Sequence, residues 1–416
     1  MQTEKPRQAG SNPELQAFFS LGFRPLYMAG CAWALLAIAL WIFAPQLISQ
    51  PLSGVAWHAH EMLWGFIATI AVGFLLTASA TWTGFNPLKG WSLGLLCLLW
   101  IAARTGYLVG GTVAFQLACL SETAFFLISA GALAHVVYKA KSKRNYGIPL
   151  LVIGLGAANA LYLQAALKGD YTLLMQRFDT GLICMAVIAL LIARRVIPFF
   201  AMRAIAGLKL PMLTGSGQIQ LALGIAAIIL GFLDQRYLMA TALSLVGLIS
   251  LIQVLSWKPQ AVIHHPLLWI LYIGYAALGL GLLFAAAHVA GLGTPASARA
   301  ATHVHLIGMG GFAVLIIGMV TRTALGHLGR PLKLDSSMQA SYIFMLAAVA
   351  LRLAALWPGS ASHVLIQSAA IFWIAAFALY LWRFVPLLIR PRFNPPAADP
   401  ALAGKRINIV IKPKSP

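Results

Sequence analysis

The sequence predicts an all-α protein, a polytopic membrane helix bundle of about twelve transmembrane helices. Hydrophobic residues make up 61% of the 416 residues and charged residues only 9%, a balance that soluble domains of this size do not have. Apolar stretches of about 18 or more residues, each long enough to cross a bilayer as a helix, recur along the chain. The short alternating segments typical of transmembrane β-barrels are absent. The predicted spans are 26–47, 54–79, 91–109, 113–137, 147–168, 178–200, 217–232, 235–256, 266–289, 298–320, 337–357 and 361–384.

The distribution of basic residues predicts the orientation of the bundle. The net charge is +20, with 29 Lys and Arg residues. If the amino terminus is cytoplasmic and the spans alternate, all of these residues fall in the inner half of the protein except Arg104, Lys168, Arg177, Arg236, Arg299 and Arg352. The positive-inside rule then places both termini of this multi-pass protein in the cytoplasm. Because the basic residues follow the inner loops, they indicate membrane lipid as a partner and not nucleic acid.

The chain divides into three segments. Residues 1–25 are polar, show no cleavable signal sequence and are predicted to form a cytoplasmic amino-terminal segment. Residues 26–384 form the transmembrane domain. Residues 385–416 are rich in proline and basic residues and are expected to lie, poorly ordered, against anionic headgroups. The four cysteines all fall within predicted spans, and no disulfide framework is predicted.

Two histidine pairs lie inside the apolar spans, His58-Ala59-His60 in span 2 and His303-Val304-His305 in span 10. Histidine in hydrocarbon is costly and marks a candidate functional site, and imidazole is the commonest side-chain ligand for transition metals. Both spans start outside, so both pairs lie roughly 5–15 Å into the membrane at 1.5 Å per residue. Positions i and i+2 are about 200° apart on a helix. Each pair therefore offers one histidine to each of two neighbouring sites, and the four residues are predicted to ligate haem and a second metal.

The spacing of the pairs also bears on internal repeats. A six-plus-six repeat of the transporter kind would relate span 2 to span 8, which contains no histidine. A repeat of four helices would group spans 2, 6 and 10 and fits the pairs better, although the sequence shows no clear repeat.

Other ionisable residues gather at the level of the histidines: Glu61, Glu122, Asp179, Arg104 and Arg352. Unpaired charges at this depth would be costly, so we expect them to pair with one another or with a cofactor. Arginine forks suit haem propionates, and Arg104 or Arg352 is predicted to hold them. Glu61 or Asp179 is predicted to orient a ligand histidine from behind, with Glu122 in the same outer layer. A single membrane histidine is more often a hydrogen-bonded interior residue, but four at one depth favour a haem or metal site.

Basic motifs also occupy the cytoplasmic ends of spans 6 and 10. Span 10 leaves the membrane through a segment that contains Arg322, His327 and Arg330, and span 6 leaves through Arg194 and Arg195. The simplest interpretation is that these residues anchor helix ends at the inner boundary. The alternative is an anion, lipid-headgroup or second-cofactor site built from Arg322, His327 and Arg330.

These motifs together resemble the NnrS family of bacterial inner-membrane proteins. The resemblance implies a twelve-helix protein that contains haem and copper and is linked to nitric oxide metabolism and resistance to nitrosative stress. The layout is also similar to the catalytic subunit of haem-copper oxidases and nitric oxide reductases, but span 6 has no histidine and no histidine trio is available for copper. The segments that carry the family resemblance are 22–25, 57–66, 73–77, 82–84, 195–200, 303–308 and 319–330.

Three functional hypotheses follow. The first is a haem-binding protein, with copper as a second candidate metal, that binds or processes nitric oxide near the periplasmic face and is linked to denitrification. The second is a transporter of a metal, haem or a small anion that uses the same histidines as a transit site. The third is a sensor or assembly partner that docks another protein on its basic inner face. The sequence leaves open whether the protein is an enzyme.

Overall fold

The computed structural model describes residues 12–48, 51–293, 299–357, 359 and 361–393, and these residues form helices and connecting loops without a strand. Within them, twelve helices are long and apolar enough to cross a membrane, which confirms the predicted fold class and number of spans. The helices are α1 (Phe23–Phe43), α2 (Gly54–Thr83), α3 (Trp91–Val109), α4 (Thr112–Lys139), α5 (Gly147–Lys168), α6 (Tyr171–Ala204), α7 (Thr214–Phe232), α8 (Arg236–Ser256), α9 (Pro266–Val289), α10 (Ala300–His327), α11 (Ser336–Ala354) and α12 (Ser362–Leu388).

Several helices continue past the predicted ends of their spans. α6 is 34 residues long, and α12 runs through Pro386 to Leu388, beyond the predicted start of the tail at 385. Hydropathy detects only the apolar part of a helix, whereas backbone hydrogen bonding continues into its polar end. The predicted polar amino-terminal segment and the predicted tail lie partly outside the described residues, at positions 1–11 and 394–416.

Three helices form the centre of the bundle. The most apolar window of α2 is 83% buried, and those of α6 and α10 are each 72% buried, compared with 22% for α7. Helices that are apolar on every face belong inside a bundle, where each face has a protein neighbour. α2 packs against α10, and α6 contacts both. Helices α2, α6 and α10 therefore form the central trio of the bundle.

The same change of backbone geometry occurs in α2 and α10. Directly after each histidine pair the α-helix widens into a π-helix, over Glu61–Ala68 in α2 and Leu306–Ala313 in α10. The two π segments pack against each other at the centre of the bundle. π turns are rare and concentrate at functional sites. This shared feature was not predicted, because a π turn leaves no reliable mark in an apolar sequence.

The inner ends of α11 and α12 are joined by an ion pair. Asp335 caps α11 by accepting a hydrogen bond from the Met338 backbone N–H at 3.0 Å, and Arg383 on α12 donates to the same carboxylate. Partial burial raises the pKa of Asp335, but the hydrogen bonds from Ser337 and Arg383 outweigh it, and the pKa is lowered from its ordinary value. The cap and the pair fix the start of α11 against α12.

Glycines let α9 approach the π segment of α10. A Cβ added to Gly281 would lie 2.6 Å from Cγ1 of Ile307 and 3.0 Å from its backbone nitrogen, and one added to Gly274 would lie 2.8 Å from Cγ of Leu315. Small residues at helix crossings allow such close backbone contact in membranes, where van der Waals packing drives association.

Substitution of Gly281 by valine is expected to destabilise the bundle, because overpacking costs about 1–3 kcal/mol. The measurement is the unfolding temperature of detergent-solubilised protein, followed by tryptophan fluorescence. The matched control is Gly154→Val on α5, where an added Cβ would meet no heavy atom within 4 Å. Equal unfolding temperatures for the two variants would contradict this account of the α9–α10 contact.

Candidate functional site

The two rings of the α2 histidine pair point to different sides of the helix. His60 is fully buried and contacts residues of α4 and α5. His58 is half-buried and contacts α1 and α10. This divergence is the one expected for positions i and i+2. The four predicted ligands therefore do not share one cavity, and each side of α2 forms a separate site.

On the first side, His60 belongs to a buried ionic cluster with Glu61, Arg104, Glu122 and Asn159. Its Nδ1 lies 2.8 Å from Oε1 of Glu61, and its Nε2 lies 2.9 Å from Oδ1 of Asn159 and 3.1 Å from Oε2 of Glu122. Both ring nitrogens thus face oxygen acceptors. Neither ring nitrogen of His60 is free to bind a metal in this arrangement. Of the two histidines on α2, only His58 therefore remains a candidate metal ligand.

Arg104 holds the two carboxylates of this cluster. Its Nη1 donates to Oε2 of Glu61 at 2.7 Å, and its Nη2 donates to Oε1 of Glu122. The guanidinium lies against Gly65, where any side chain would collide with it. Arg104 therefore serves the ionic cluster and does not point toward a propionate site, which corrects its predicted role. With His60 doubly protonated, two cations balance two carboxylates, so the cluster is neutral within the membrane.

Three further residues of this cluster were not predicted. Trp33 donates its indole N–H to Oε2 of Glu61 at 2.5 Å, Tyr107 donates its hydroxyl to Oε2 of Glu122 at 3.0 Å, and Asn159 contacts His60. Asn159 could have been found from the sequence, because it is an amide within an apolar span. Nothing in the sequence distinguishes Trp33 and Tyr107 from other aromatic residues of the spans.

On the second side of α2, His58 faces His305 of α10. Their ring centroids are 6.4 Å apart and the ring planes differ by 19°. The His58 ring also stacks on Trp41 of α1, with centroids 5.2 Å apart and planes 13° apart. The structure thus brings together one histidine from each pair.

The hydrogen bonding of these two rings suits metal binding. Nδ1 of His305 lies 2.7 Å from the Ala301 carbonyl oxygen and donates to it, which leaves Nε2 with its lone pair. Metal-binding histidines are commonly oriented by such a bond. Nδ1 of His58 is buried without a hydrogen-bond partner. Arg352 of α11 is close enough to act electrostatically on both rings, and Gly308, one turn after His305, has open space beside it.

The second histidine of α10 has other neighbours. Nε2 of His303 lies 3.8 Å from Oδ1 of Asp179 on α6, and its ring centroid is 4.8 Å from that of His288 on α9. Its Nδ1 is buried without a hydrogen-bond partner. Asp179 was predicted to orient a ligand histidine. It lies near His303, but at 3.8 Å it is beyond hydrogen-bond distance. Across the described part of the chain, no three His, Cys, Asp or Glu side chains are grouped so as to hold a metal ion.

The predicted inner-side residues each contact a different aromatic ring. Arg322 stacks over Phe200 at 4.3 Å, Arg330 stacks over Phe393 at 4.8 Å, and the ring of His327 lies 5.4 Å from that of Phe23. The structure does not bring the three side chains to a common partner. Their contacts attach the end of α10 to α6, α1 and the segment after α12.

An apolar cavity of about 90 Å³ lies between α1, α2, α6 and α10. It extends from the π segments, at Ile67 and Phe312, toward the inner ends of α6 and α10, at Ile197 and Met319. Apart from the hydroxyl of Tyr27, its lining side chains are hydrocarbon or thioether. It is a space for an apolar molecule beneath the histidine layer.

The comparisons with known proteins identify one family. Residues 17–392, nearly the whole chain, match the protein-family model described as NnrS protein. No curated protein sequence matches the chain significantly. The match spans all twelve helices and both histidine pairs.

Replacing Arg104 by glutamine is expected to destabilise the protein strongly. It leaves Glu61 and Glu122 buried without their shared cation, and breaking a buried ion pair costs about 3–5 kcal/mol. The unfolding temperature in detergent would be compared with that of Arg177→Gln, which removes an arginine that stacks on Phe232 at the outer end of α6. If Arg104→Gln unfolds no earlier than Arg177→Gln, the ionic cluster does not hold the outer half together.

Proposed function

This chain belongs to the NnrS family, and on that premise we propose that it binds haem near the periplasmic face of the bacterial inner membrane and acts in nitric oxide metabolism or nitrosative-stress resistance. The observation that carries the proposal is the pairing of His58 with His305 across the centre of the bundle. Both termini are placed in the cytoplasm by the same proposal, which rests on the concentration of basic residues in the inner loops.

The spacing of the two rings fits one metal between them. If a ring nitrogen of each histidine is turned toward one transition metal and binds it at about 2 Å, the two centroids are separated by roughly 6 Å. The observed separation is 6.4 Å. A porphyrin supplies four ligands of its own and needs only axial ones from the protein. A site with two histidines and no third ligand therefore suits haem better than a bare metal ion.

The surroundings of the pair support the same cofactor. Arg352 is the cation on the α11 side of both rings, and its fork is suited to a propionate. Trp41 provides a flat apolar face against His58. Haem held here would supply an iron that can exchange electrons, and that would ligate nitric oxide once one of the two imidazoles leaves it. The Ala301 carbonyl and Trp41 orient the two imidazoles that would hold the haem.

The apolar cavity supports nitric oxide as the small ligand. Nitric oxide is neutral and enters the bilayer, and a space lined by Ile67, Phe74, Met185 and Phe312 offers it no competing hydrogen bonds. The cavity reaches Ile67 and Phe312, which belong to the π segments that follow the two histidine pairs.

Copper is the less supported cofactor of the proposal. The closest approach to a second metal site is the pair His288 and His303 with Asp179 nearby, and these side chains do not form a ligand set as arranged. Metal analysis of the purified protein would decide whether copper accompanies haem.

His58→Ala and His305→Ala are each expected to abolish the Soret band of the purified protein or shift it, because each removes an imidazole that would hold the haem. The measurements are the visible spectrum and the pyridine haemochrome content per polypeptide. His264→Ala, which changes an exposed loop histidine, is the control and keeps the wild-type spectrum. His60→Gln distinguishes the ionic cluster from the haem site. The folded His60→Gln protein is expected to keep the wild-type spectrum, while its unfolding temperature falls because the ionic cluster is weakened.

A wild-type spectrum in both ligand variants would overturn the assignment of His58 and His305. Preparations of wild-type protein without haem, together with substrate flux in proteoliposomes, would instead support the transporter hypothesis.

Arg352→Gln is expected to weaken haem retention about tenfold while leaving the band position nearly unchanged, because a charge-assisted bond to a propionate is lost and the axial ligands stay. Haem transfer to apomyoglobin measures the retention. Arg177→Gln is the matched control, an outer-side arginine that stacks on Phe232. Equal transfer from both variants would exclude Arg352 as the propionate anchor.

A further inference from the structure

The inner end of α6 carries a buried arginine for which the described residues provide no acidic partner. Arg194 is only 6% exposed, its Nε is buried without a hydrogen-bond partner, and no ion pair to it occurs among the described residues. A cation taken out of water in this way is expensive unless an anion accompanies it. Arg194 therefore needs a negative group from outside the described chain.

Two more arginines, Arg195 and Arg144, lie near Arg194. Arg195 donates to the Asn145 side chain at 3.1 Å and to the Arg144 carbonyl at 3.3 Å, and its Nε is also buried and unpartnered. Arg144 is exposed at the loop before α5 and is close enough to act electrostatically on both Arg194 and Arg195. Three like charges at one point repel one another, and an anion between them would relieve the repulsion.

The start of α7 adds to the positive potential. The Arg194 side chain lies directly against Gly217, within the first turns of α7, so closely that a Cβ there would collide with it. The residue that precedes α7, Leu213, provides no side-chain cap for its free N–H groups. The amino-terminal end of a helix favours anions through those groups.

The cleft beside Arg194 is apolar. Between α6 and α7 it is lined by Val187, Leu190, Leu191 and Leu221, with Arg194 and Gln220 as its polar residues. Apart from the half-buried Leu221, these lining side chains are buried, so the Arg194 side chain is enclosed between two helices. α7 itself is the least buried of the twelve candidate spans, which places lipid close to this end of α6.

We propose that Arg194, Arg195 and Arg144 form a binding site for a phosphate group at the cytoplasmic boundary, occupied by the headgroup of an anionic phospholipid of the surrounding membrane. The site is independent of the haem proposal, because it lies at the opposite end of the bundle from the histidine layer. Arginine forks suit this ligand, because they bind phosphate oxygens through paired charge-assisted hydrogen bonds.

Native mass spectrometry of the full-length protein in detergent tests the proposal. Dioleoylphosphatidylglycerol and dioleoylphosphatidylcholine would be titrated into wild-type protein, Arg194→Gln, Arg144→Gln and Arg203→Gln. Arg203 is the matched control, because it is an exposed arginine farther along the same helix that stacks on Phe199. Wild-type protein is expected to bind the anionic lipid more tightly than the zwitterionic one. Arg194→Gln and Arg144→Gln should weaken this binding about tenfold, and Arg203→Gln should leave it unchanged.

Inorganic phosphate distinguishes the two sources of the ligand. Failure of millimolar phosphate to displace the anionic lipid from wild-type protein supports the lipid as occupant. If phosphate displaces the anionic lipid from wild-type protein, but does not displace the residual lipid bound to Arg194→Gln, the result supports the same arginine site with free phosphate as its ligand. Because Arg144 is exposed, its substitution tests the site even if Arg194→Gln fails to fold. Wild-type lipid binding by Arg144→Gln, or by folded Arg194→Gln, would overturn the proposal.

Discussion

Arg104 donates to Glu61 and Glu122 in a part of the bundle that is closed to solvent, and the position of α2 depends on this interaction. The three residues belong to α3, α2 and α4, and His60 extends the cluster to Asn159 on α5. Charges in a membrane interior are stable only when each has a partner. The rotation of α2 that satisfies all of them at once is therefore strongly preferred, and it determines where every other side chain of α2 points.

The position of His58 follows from that rotation. With His60 held in the ionic cluster, the residue two positions earlier must face the other side of the helix. There it meets Trp41 and, across the bundle axis, His305. The π segments of α2 and α10 lie directly below and pack against each other. The ionic cluster thus acts as the support for the histidine pair, although it shares no atom with it.

The outer and inner halves of the protein differ in how their charged residues are paired. In the outer half, the carboxylates Glu61 and Glu122 are neutralised inside the bundle. At the inner boundary, cations such as Arg194 and Arg195 greatly outnumber the acids, and Arg322 rests on an aromatic ring. Internal pairing gives the outer half a rigid polar core. At the inner boundary, by contrast, Nε of both Arg194 and Arg195 is buried without a hydrogen-bond partner.

The sequence alone determined the fold class and the number of spans, because hydropathy and span length are local properties. It also predicted that the outer charges pair with one another or with a cofactor. Only the tertiary structure decided which side chains meet: Arg104 and His60 both contact Glu61 and Glu122, Asn159 also contacts His60, and π turns follow both histidine pairs. Those outcomes depend on the rotation and neighbours of each helix. In an apolar span, where every face is hydrophobic, the sequence carries little information about either.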